Sequence, residues 1–460
     1  MRVEGSLAKA MIVGASARGP GVLGPHGQAG RLSAVSLDGF RKDLVMSRAE
    51  RRIECQAAVV GGGIAGLAAA LALARAGASV VLVDRAPPRA TPAGASDGRT
   101  AALLLPAVDF LRRLGVWHAV ASGGAPLRRL RIVDQGQDRH GAASGEVVFE
   151  ADEIGESEFG FNVANHDLRR ALGEAVASEP AIRVLSGAEV RGLRASGAMA
   201  EVELADGGEV RCALVVGADG RDSAVRRGAR IADQRFDYRQ MALTCSFAHA
   251  RDHRATSTEL HRPGGPFTMV PMAGSRSSLV WVERLAEAER LLSLGDDAFA
   301  TELGRLASPW VGPVHDITPR HGYPLIGILA RRLVAPRVAL IGEAAHVLSP
   351  IGAQGLNLSL RDAEALAARI GSALARCADI GDPELLAAYE RQRMPDVRAR
   401  FLTVDGLNRA VASDMELVRA ARGLGLQLVG SLPPLRRSLM RAMMRPFEWP
   451  ALRPFPLSGS

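Results

Sequence analysis

The sequence predicts an α/β protein: a Rossmann-type domain interleaved along the chain with a second domain of β-sheet, and followed by a C-terminal helical region. Three observations predict it. A complete strand, turn, helix and strand occupies residues 57–85; two further strand-to-turn segments rich in small residues lie at 213–227 and 338–367; and stretches between them alternate apolar and polar residues with period two.

The 460 residues, 47% of them hydrophobic, are enough for two or three domains with sizeable cores. The longest apolar run, 64–74, falls short of the roughly 20 residues a membrane span needs, and its alanines read as a buried helix. A net charge of +8 and a pI near 10.1 raise the question of an anionic partner. Lysine occurs only at Lys9 and Lys42, however, so the basic residues are nearly all arginine, alongside abundant Ala, Gly and Pro. That pattern points to GC-rich coding, and no nucleic-acid partner is expected. Cys55, Cys212, Cys245 and Cys377 have neither CxxC spacing nor a companion histidine cluster, so no metal site or disulfide framework is expected and a reducing, cytoplasmic setting fits. Residues 1–45 are Gly-rich without apolar periodicity and are expected to be a disordered extension or an overcalled start, with Met46 the working N-terminus. A transit peptide is the alternative; a secretory signal would need a continuous apolar core that is missing here.

In AAVVGGGIAGLAAALALARAGASVVLVDR, a short apolar strand leads into Gly61-x-Gly63-x-x-Gly66, a helix of small residues runs to Gly77, and a second strand ends at Asp84, followed by Arg85. Gly61 permits the tight turn, Gly63 lets backbone approach a pyrophosphate, and Gly66 lets helix and strand pack closely. The pyrophosphate would sit on the positive end of the helix, and Asp84 is placed to accept from a ribose hydroxyl. The chain does not continue with further βαβ units: 87–98 is a loop, and GRTAALLLPAVDFLRRLGVW (98–117) reads as a helix with Arg99 at its start. FAD, larger and more extended than NAD, requires residues recruited from distant parts of the chain.

Two such parts are visible. ALVVGADGRDSAVRR places Asp219 and Gly220 after a buried strand, and VALIGEAAHVLSPIGAQGLNLSLRDAEALA places Glu343 at a strand end before Gly352, Ala353, Gln354, Gly355 and Asn357. In that order, the three motifs resemble the class A FAD-dependent aromatic monooxygenases of the p-hydroxybenzoate hydroxylase fold, over roughly residues 55–400. Details at 98–117, 165–172 (NHDLRRAL) and 350–366 are similar to the ubiquinone-biosynthesis hydroxylases within that group. The resemblance implies that Arg99 and Asn165 contact FAD, with a surface ion pair and a helix N-cap as their structural alternatives. It implies that Asp219 touches the ribityl or pyrophosphate region and shapes a nicotinamide route. Glu343 would accept from ribityl hydroxyls; the commonest residue there in the wider group is Asp, one methylene shorter. Gly352 to Gly355 would let backbone amides approach the isoalloxazine edge, and the positive end of the helix starting near Gln354 would favour the reduced flavin anion. His346 reads as a structural histidine, and no protein side chain is singled out as catalytic.

The resemblance divides the chain into an FAD-binding domain (51–125, 157–230 and 322–400), a substrate domain (126–156 and 231–321) and a helical region (401–460). Strands are expected at 146–150, 241–248, 267–271 and 279–283, the last two as a hairpin. Leu243, Phe247, Met269 and Trp281 are expected to face the substrate and to favour a greasy one, with ordinary core packing the equal alternative for any one of them. The segment LPPLRRSLMRAMMRPFEW sets Arg437, Arg441 and Arg445 apart from Leu439, Met443 and Phe447, an amphipathic helix that either docks on the FAD domain or lies on an anionic membrane or a partner.

The function implied is hydroxylation of a polyprenylated phenol in ubiquinone biosynthesis: NAD(P)H reduces FAD, oxygen adds at the flavin C4a carbon, and the ring takes one oxygen atom. The implied partners are the prenylated phenol, other quinone-biosynthesis proteins and, peripherally, the inner membrane. A flavin halogenase needs a lysine that this chain lacks beyond Lys42. A hydroxylase of a small soluble phenol, its carboxylate held by Arg239 or Arg276, and a non-catalytic flavin-binding accessory protein are the alternatives.

Overall fold

The computed structural model describes residues 52–86, 98–137, 143–413 and 415–444. The expectations for residues 1–45, Met46, the loop after Pro87, Arg445 and Phe447 lie outside these. Among the described residues, no helix is long and apolar enough to cross a membrane.

Short Val- and Ala-rich strands, buried on both faces, build a parallel sheet as such continuous apolar runs do. Arg52–Val60 lies at its centre, with Val80–Asp84 and then Ile182–Ser186 on one side, and Glu209–Gly217 and then Val338–Leu340 on the other. The connections therefore leave the central strand in opposite directions, which makes a switch point at its carboxyl end. Register brings the strand ends level: Val60 pairs with Val83 and with Gly217, and Gly217 with Leu340. All three glycine-bearing turns consequently emerge on one edge. The helix Ile64–Arg75 is buried from Gly66 to Ala74, and its small side chains let it sit between the sheet and the helices Asn165–Ala177 and Gln354–Leu374.

The second sheet runs in the order His346–Val347, His321–Ala330, Asp233–His249, Arg276–Arg284, Gly265–Met272, Thr256–Arg262, Arg129–Gln137 and Ala143–Glu150. The expected hairpin is present as Gly265–Met272 paired with Arg276–Arg284. Two boundaries move. His321–Ala330 pairs along the edge of Asp233–His249, so the return to the first sheet comes at Val334 instead of 322. And 98–117 is not one helix: Thr100–Leu104 is a strand paired with Gly160–Ala164, and the helix is Leu105–Arg113 with Pro106 in its first turn. Cross-strand pairing overrides the helical leaning of Ala and Leu at 101–104, and Pro106 marks the true helix start.

The largest apolar residues of the second sheet face away from the first. Leu243, Phe247, Met269 and Trp281 pack against the helices Leu285–Ser293 and Asp296–Val311 in a core that includes Leu291, Phe299 and Leu303. They are not the substrate wall expected of them. Alternation assigns residues to two faces without saying which face a helix covers, and here bulk follows the helices.

Behind the segment 342–357 lies a chain of buried charges. His346 Nε2 lies 2.6 Å from Asp362 Oδ2, Arg393 Nε donates to Asp362 Oδ1 at 2.8 Å and Arg393 Nη1 to Asp396 Oδ2 at 2.9 Å. Arg400 completes it, donating to Asp396 Oδ1 at 2.8 Å and to Gln354 Oε1 at 2.5 Å. Burial works to raise the Asp362 carboxyl, but His346 and Arg393 hold it below the usual carboxylate range. Burial, with Arg400 nearby, pushes Arg361 down to about 10. Removing one member strands its partners in a medium that solvates them poorly, so Asp362→Ala and Arg393→Met should each cost about 3–5 kcal/mol. The double substitution should cost less than the sum, and strict additivity in denaturant unfolding would show that the pair is not coupled. Because the native pKa of Asp362 is depressed, its stabilisation holds above the unfolded carboxylate range and is lost as pH falls through the lowered native value.

Candidate functional site

A single cavity of about 1450 Å³ lies along the carboxyl edge of the parallel sheet and continues under the second sheet. That exceeds the roughly 300–1,000 Å³ of a site for one drug-sized ligand and leaves room for an extended cofactor beside a substrate. Gly61, Gly63, Asp84, Arg85, Arg99 and Asn165 line it from the first half of the chain. Asp219, Gly220, Glu343 and Gly352 to Gly355 line it from the second. Gly66 and Asn357 do not.

Gly61 has φ +110°, and a Cβ there would lie 2.3 Å from the Ala218 carbonyl oxygen. The first turn and the Asp219-Gly220 turn thus pass at a distance that only a bare Cα allows. Gly63 is different: a Cβ there would meet no atom within 4 Å, so the space it leaves belongs to the cavity and suits a bound pyrophosphate. Arg85, Arg99, Arg169, Arg170, Arg221 and Arg227 also line the cavity, a positive setting for phosphate oxygens. Arg169 lies one helical turn after Asn165, and its Nε donates to the Gly62 carbonyl oxygen at 3.4 Å; that spacing of four could have singled it out in the sequence.

Several side chains do other work than the sequence suggested. Asp84 accepts from the Gly62 amide through Oδ2 and from the Ala86 amide through Oδ1 at 2.7 Å, so it braces the glycine turn while lining the cavity. The Asp219 carboxylate takes Ser223 Oγ at 2.5 Å and the amides of Ala224 and Val225 at 2.6 and 3.1 Å; it shapes its own loop, and the loop faces the cavity. Asn357 Nδ2 donates to Ala102 and Ala353 carbonyl oxygens at 2.8 Å, and its Oδ1 accepts from the Leu104 amide at 2.9 Å. It clasps the strand Thr100–Leu104 to the helix Gln354–Leu374 instead of reaching a ligand. Asn165 is the first residue of its helix and not the cap, which is Ala164. Its Oδ1 is buried without a partner, an acceptor awaiting a donor. Arg99 lies over the Tyr323 ring at 4.9 Å.

Glu343 is exposed on a single 3₁₀ turn, Gly342–Ala344, and forms no hydrogen bond or ion pair among the described residues. Its Oε2 is 4.0 Å from where a Cβ on Gly220 would lie. Across the cavity, Gly352 and Ala353 have φ of +67° and +53°, and the helix from Gln354 follows at once. A Cβ on Gly355 would meet nothing within 4 Å. The chain therefore presents a free carboxylate, a bare helix start and an open pyrophosphate turn along one cavity, which fits FAD. His346 is 1% exposed and tied to Asp362, a structural position. Arg239 and Arg276 do not line the cavity, and Arg276 is engaged by Asp316.

Such an arrangement, a dinucleotide turn joined to a distal carboxylate and helix start, defines an FAD-dependent oxidoreductase. Residues 54–401 match the FAD binding domain family. The chain is 38% identical over 386 residues to the ubiquinone hydroxylase UbiL of Rhodospirillum rubrum, covering 84% of this chain and 88% of that one. It is 30% identical over 389 residues to the 3-demethoxyubiquinol 3-hydroxylase of Escherichia coli, covering 84% and 97%. In fold it is similar to p-nitrophenol 4-monooxygenase PnpA from Pseudomonas putida, with a TM-score of 0.70, 18% identity and coverage of 86% and 100%. The chain belongs to the ubiquinone hydroxylase family of FAD-binding proteins, and FAD is its cofactor.

Gly63→Val should yield folded protein that purifies without flavin, whereas Gly61→Val should fail to fold, because only the second must push backbone aside. Flavin absorbance and thermal unfolding separate the two. Glu343→Ala should weaken FAD binding about 10- to 100-fold, the worth of hydrogen bonds to a charged acceptor, as read by titration of apoprotein; unchanged affinity would remove Glu343 from the cofactor site.

Proposed function

We propose that this chain is an FAD-dependent monooxygenase that hydroxylates the aromatic ring of a polyprenylated phenol in ubiquinone biosynthesis, with NAD(P)H as electron donor. The observation that supports this substrate class is the far end of the cavity. Past the dinucleotide edge, it is lined by Leu130, Ile132, Phe149, Val270 and Val280 from the second sheet, by Leu127 on the short strand Ala125–Leu127 paired with Gly160–Ala164, and by Met440, Met443 and Met444 from the last described helix. An apolar chain fits that wall; Arg129, which also lines it, is paired with Glu150 and so is not left to anchor a small charged acid.

Bound FAD supplies the reduction and oxygen-transfer chemistry. The amides after Gly61 would hold the pyrophosphate, the Glu343 carboxylate would accept hydrogen bonds from ribityl hydroxyls, and the positive start of the helix Gln354–Leu374 would favour negative charge on the reduced ring. The apolar wall orients the phenol and excludes water, which keeps oxygen transfer from being lost to solvent. Strains lacking the gene should accumulate a prenylated quinone precursor missing one or more ring hydroxyls, identified by mass spectrometry. Normal quinone levels in a strain with no second hydroxylase would overturn this reading.

The helix Pro433–Met444 docks on the body. Arg361 and Arg400 donate to the carbonyl oxygens of Met444 and Met443 at 2.9 and 3.4 Å, Arg436 Nε donates to Glu153 at 2.8 Å, and Met440 is buried. Its other face, with that of Glu416–Ser431, exposes Leu424, Leu428, Leu432, Leu435, Leu439 and Met443 beside Arg437 and Arg441. Apolar residues flanked by arginine suit an anionic bilayer surface, and Met443 also reaches the cavity, so a lipid-dissolved substrate would enter there. The double variant Leu435→Ser/Leu439→Ser should retain FAD but lose co-sedimentation with vesicles containing anionic phospholipid. Unaltered sedimentation would remove this face as the membrane contact.

A further inference from the structure

The cavity face of the second sheet is largely apolar; apart from Arg129, which is paired with Glu150, Ser257 and the edge-strand His346, its polar lining residues lie in one row. Glu259, on Thr256–Arg262, lies between Ile132 on one neighbouring strand and Thr268 on the other, and Thr268 in turn pairs with Val280. Glu259 is 5% exposed and lines the cavity. Its Oε1 lies 2.8 Å from Nε2 of His261, two residues on and therefore on the same face. His261 is 2% exposed, and its Nδ1 is buried without a partner. The second carboxylate oxygen of Glu259 has no hydrogen-bond partner among the described residues.

A carboxylate placed in such a wall costs stability unless something binds it, and groups of this kind concentrate where a ligand is handled. His261 satisfies one oxygen by donating from Nε2 and holds the side chain in one rotamer. The other oxygen is left to face the cavity as an acceptor only. Leu130, Ile132, Val270 and Val280 are its neighbours on the same face, and Arg129, which also lines the cavity, is already paired with Glu150.

We propose that Glu259 is the residue that receives the ring hydroxyl of the substrate, with His261 as its positioning residue. The phenol O–H donates to the free carboxylate oxygen. No bond to carbon changes in this contact: the proton remains shared between the two oxygens, and electron density moves from the phenolic oxygen into the ring, chiefly to the carbons ortho and para to it. Because the carboxylate is fixed in the sheet, the hydroxyl is fixed too, and with it the ring carbon presented for hydroxylation. The inference rests on the reading of the cavity as a phenol site.

The test compares the holoenzyme with Glu259→Leu and Glu259→Gln, all carrying FAD, using a 2-prenylphenol and its O-methyl ether, which keeps the shape and lacks the donor. Wild-type protein should bind the phenol about 10- to 100-fold more tightly than the ether, the range for a hydrogen bond to a charged acceptor. Glu259→Leu should bring that ratio close to one while leaving ether affinity and FAD content unchanged. Glu259→Gln, neutral but still an acceptor, should keep part of the ratio, yet oxidise NAD(P)H with less product per turnover and a less uniform position of hydroxylation. Wild-type discrimination and regiochemistry in Glu259→Leu would overturn the assignment. Should the wild-type protein discriminate between phenol and ether but hydroxylate neither, Glu259 would stand as the phenol contact and the proposed reaction would fall.

Discussion

The site depends on how closely the chain passes itself at Gly61. With a Cβ there 2.3 Å from the Ala218 carbonyl oxygen, no other residue allows the first turn and the Asp219 loop to meet, and their meeting is what aligns the carboxyl ends of Arg52–Val60 and Glu209–Gly217. Val338–Leu340 then adds to the free edge in the same direction. Three loops separated by more than a hundred residues each arrive at one edge because the strands that carry them are parallel and in register. A cofactor too long for one βαβ unit can be held only by such a convergence.

The distal half is stiffened by a different means. Glu343 and Gln354 belong to a segment with few regular hydrogen bonds of its own, and two residues in succession, Gly352 and Ala353, have positive φ. The chain of charges from His346 through Asp362, Arg393 and Asp396 to Arg400 and Gln354 ties this segment to two long helices. Burying those charges gives little net stability compared with an apolar core. What it supplies is direction: each hydrogen bond has one geometry, and the loop inherits it.

How much of this was legible beforehand varies with the physics involved. The turn at Gly61, the strand ending at Asp84 and the place of Glu343 at a strand end are legible because local spacing dictates them, whereas a cofactor role for Glu343 comes only from the family resemblance. Arg99 was misplaced onto a helix because Thr100–Leu104 gains its strand from Gly160–Ala164, sixty residues on, and no local pattern reports a distant partner. The substrate wall was assigned to Leu243, Phe247, Met269 and Trp281 because alternation defines faces without naming them; the helices Leu285–Ser293 and Asp296–Val311 decide. For the same reason nothing in the sequence of Thr256–Arg262 marks Glu259 as facing the cavity, and nothing local to Asn357 shows that its amide is spent on the backbone of Ala102 and Leu104.

The cavity has two kinds of boundary. Its dinucleotide edge is set by main-chain register and by close glycine contacts such as that of Gly61 with Ala218, where an added side chain disturbs the fold. Its outer end is closed by Met440, Met443 and Met444, flexible side chains on a docked terminal helix. Met443 Cε lies 3.7 Å from where a Cβ on Gly352 would be, so this end of the cavity adjoins the loop before Gln354. Such a division would let the fit of the substrate's apolar chain change through the last described helix while the ring, held from the second sheet, is presented in the same way.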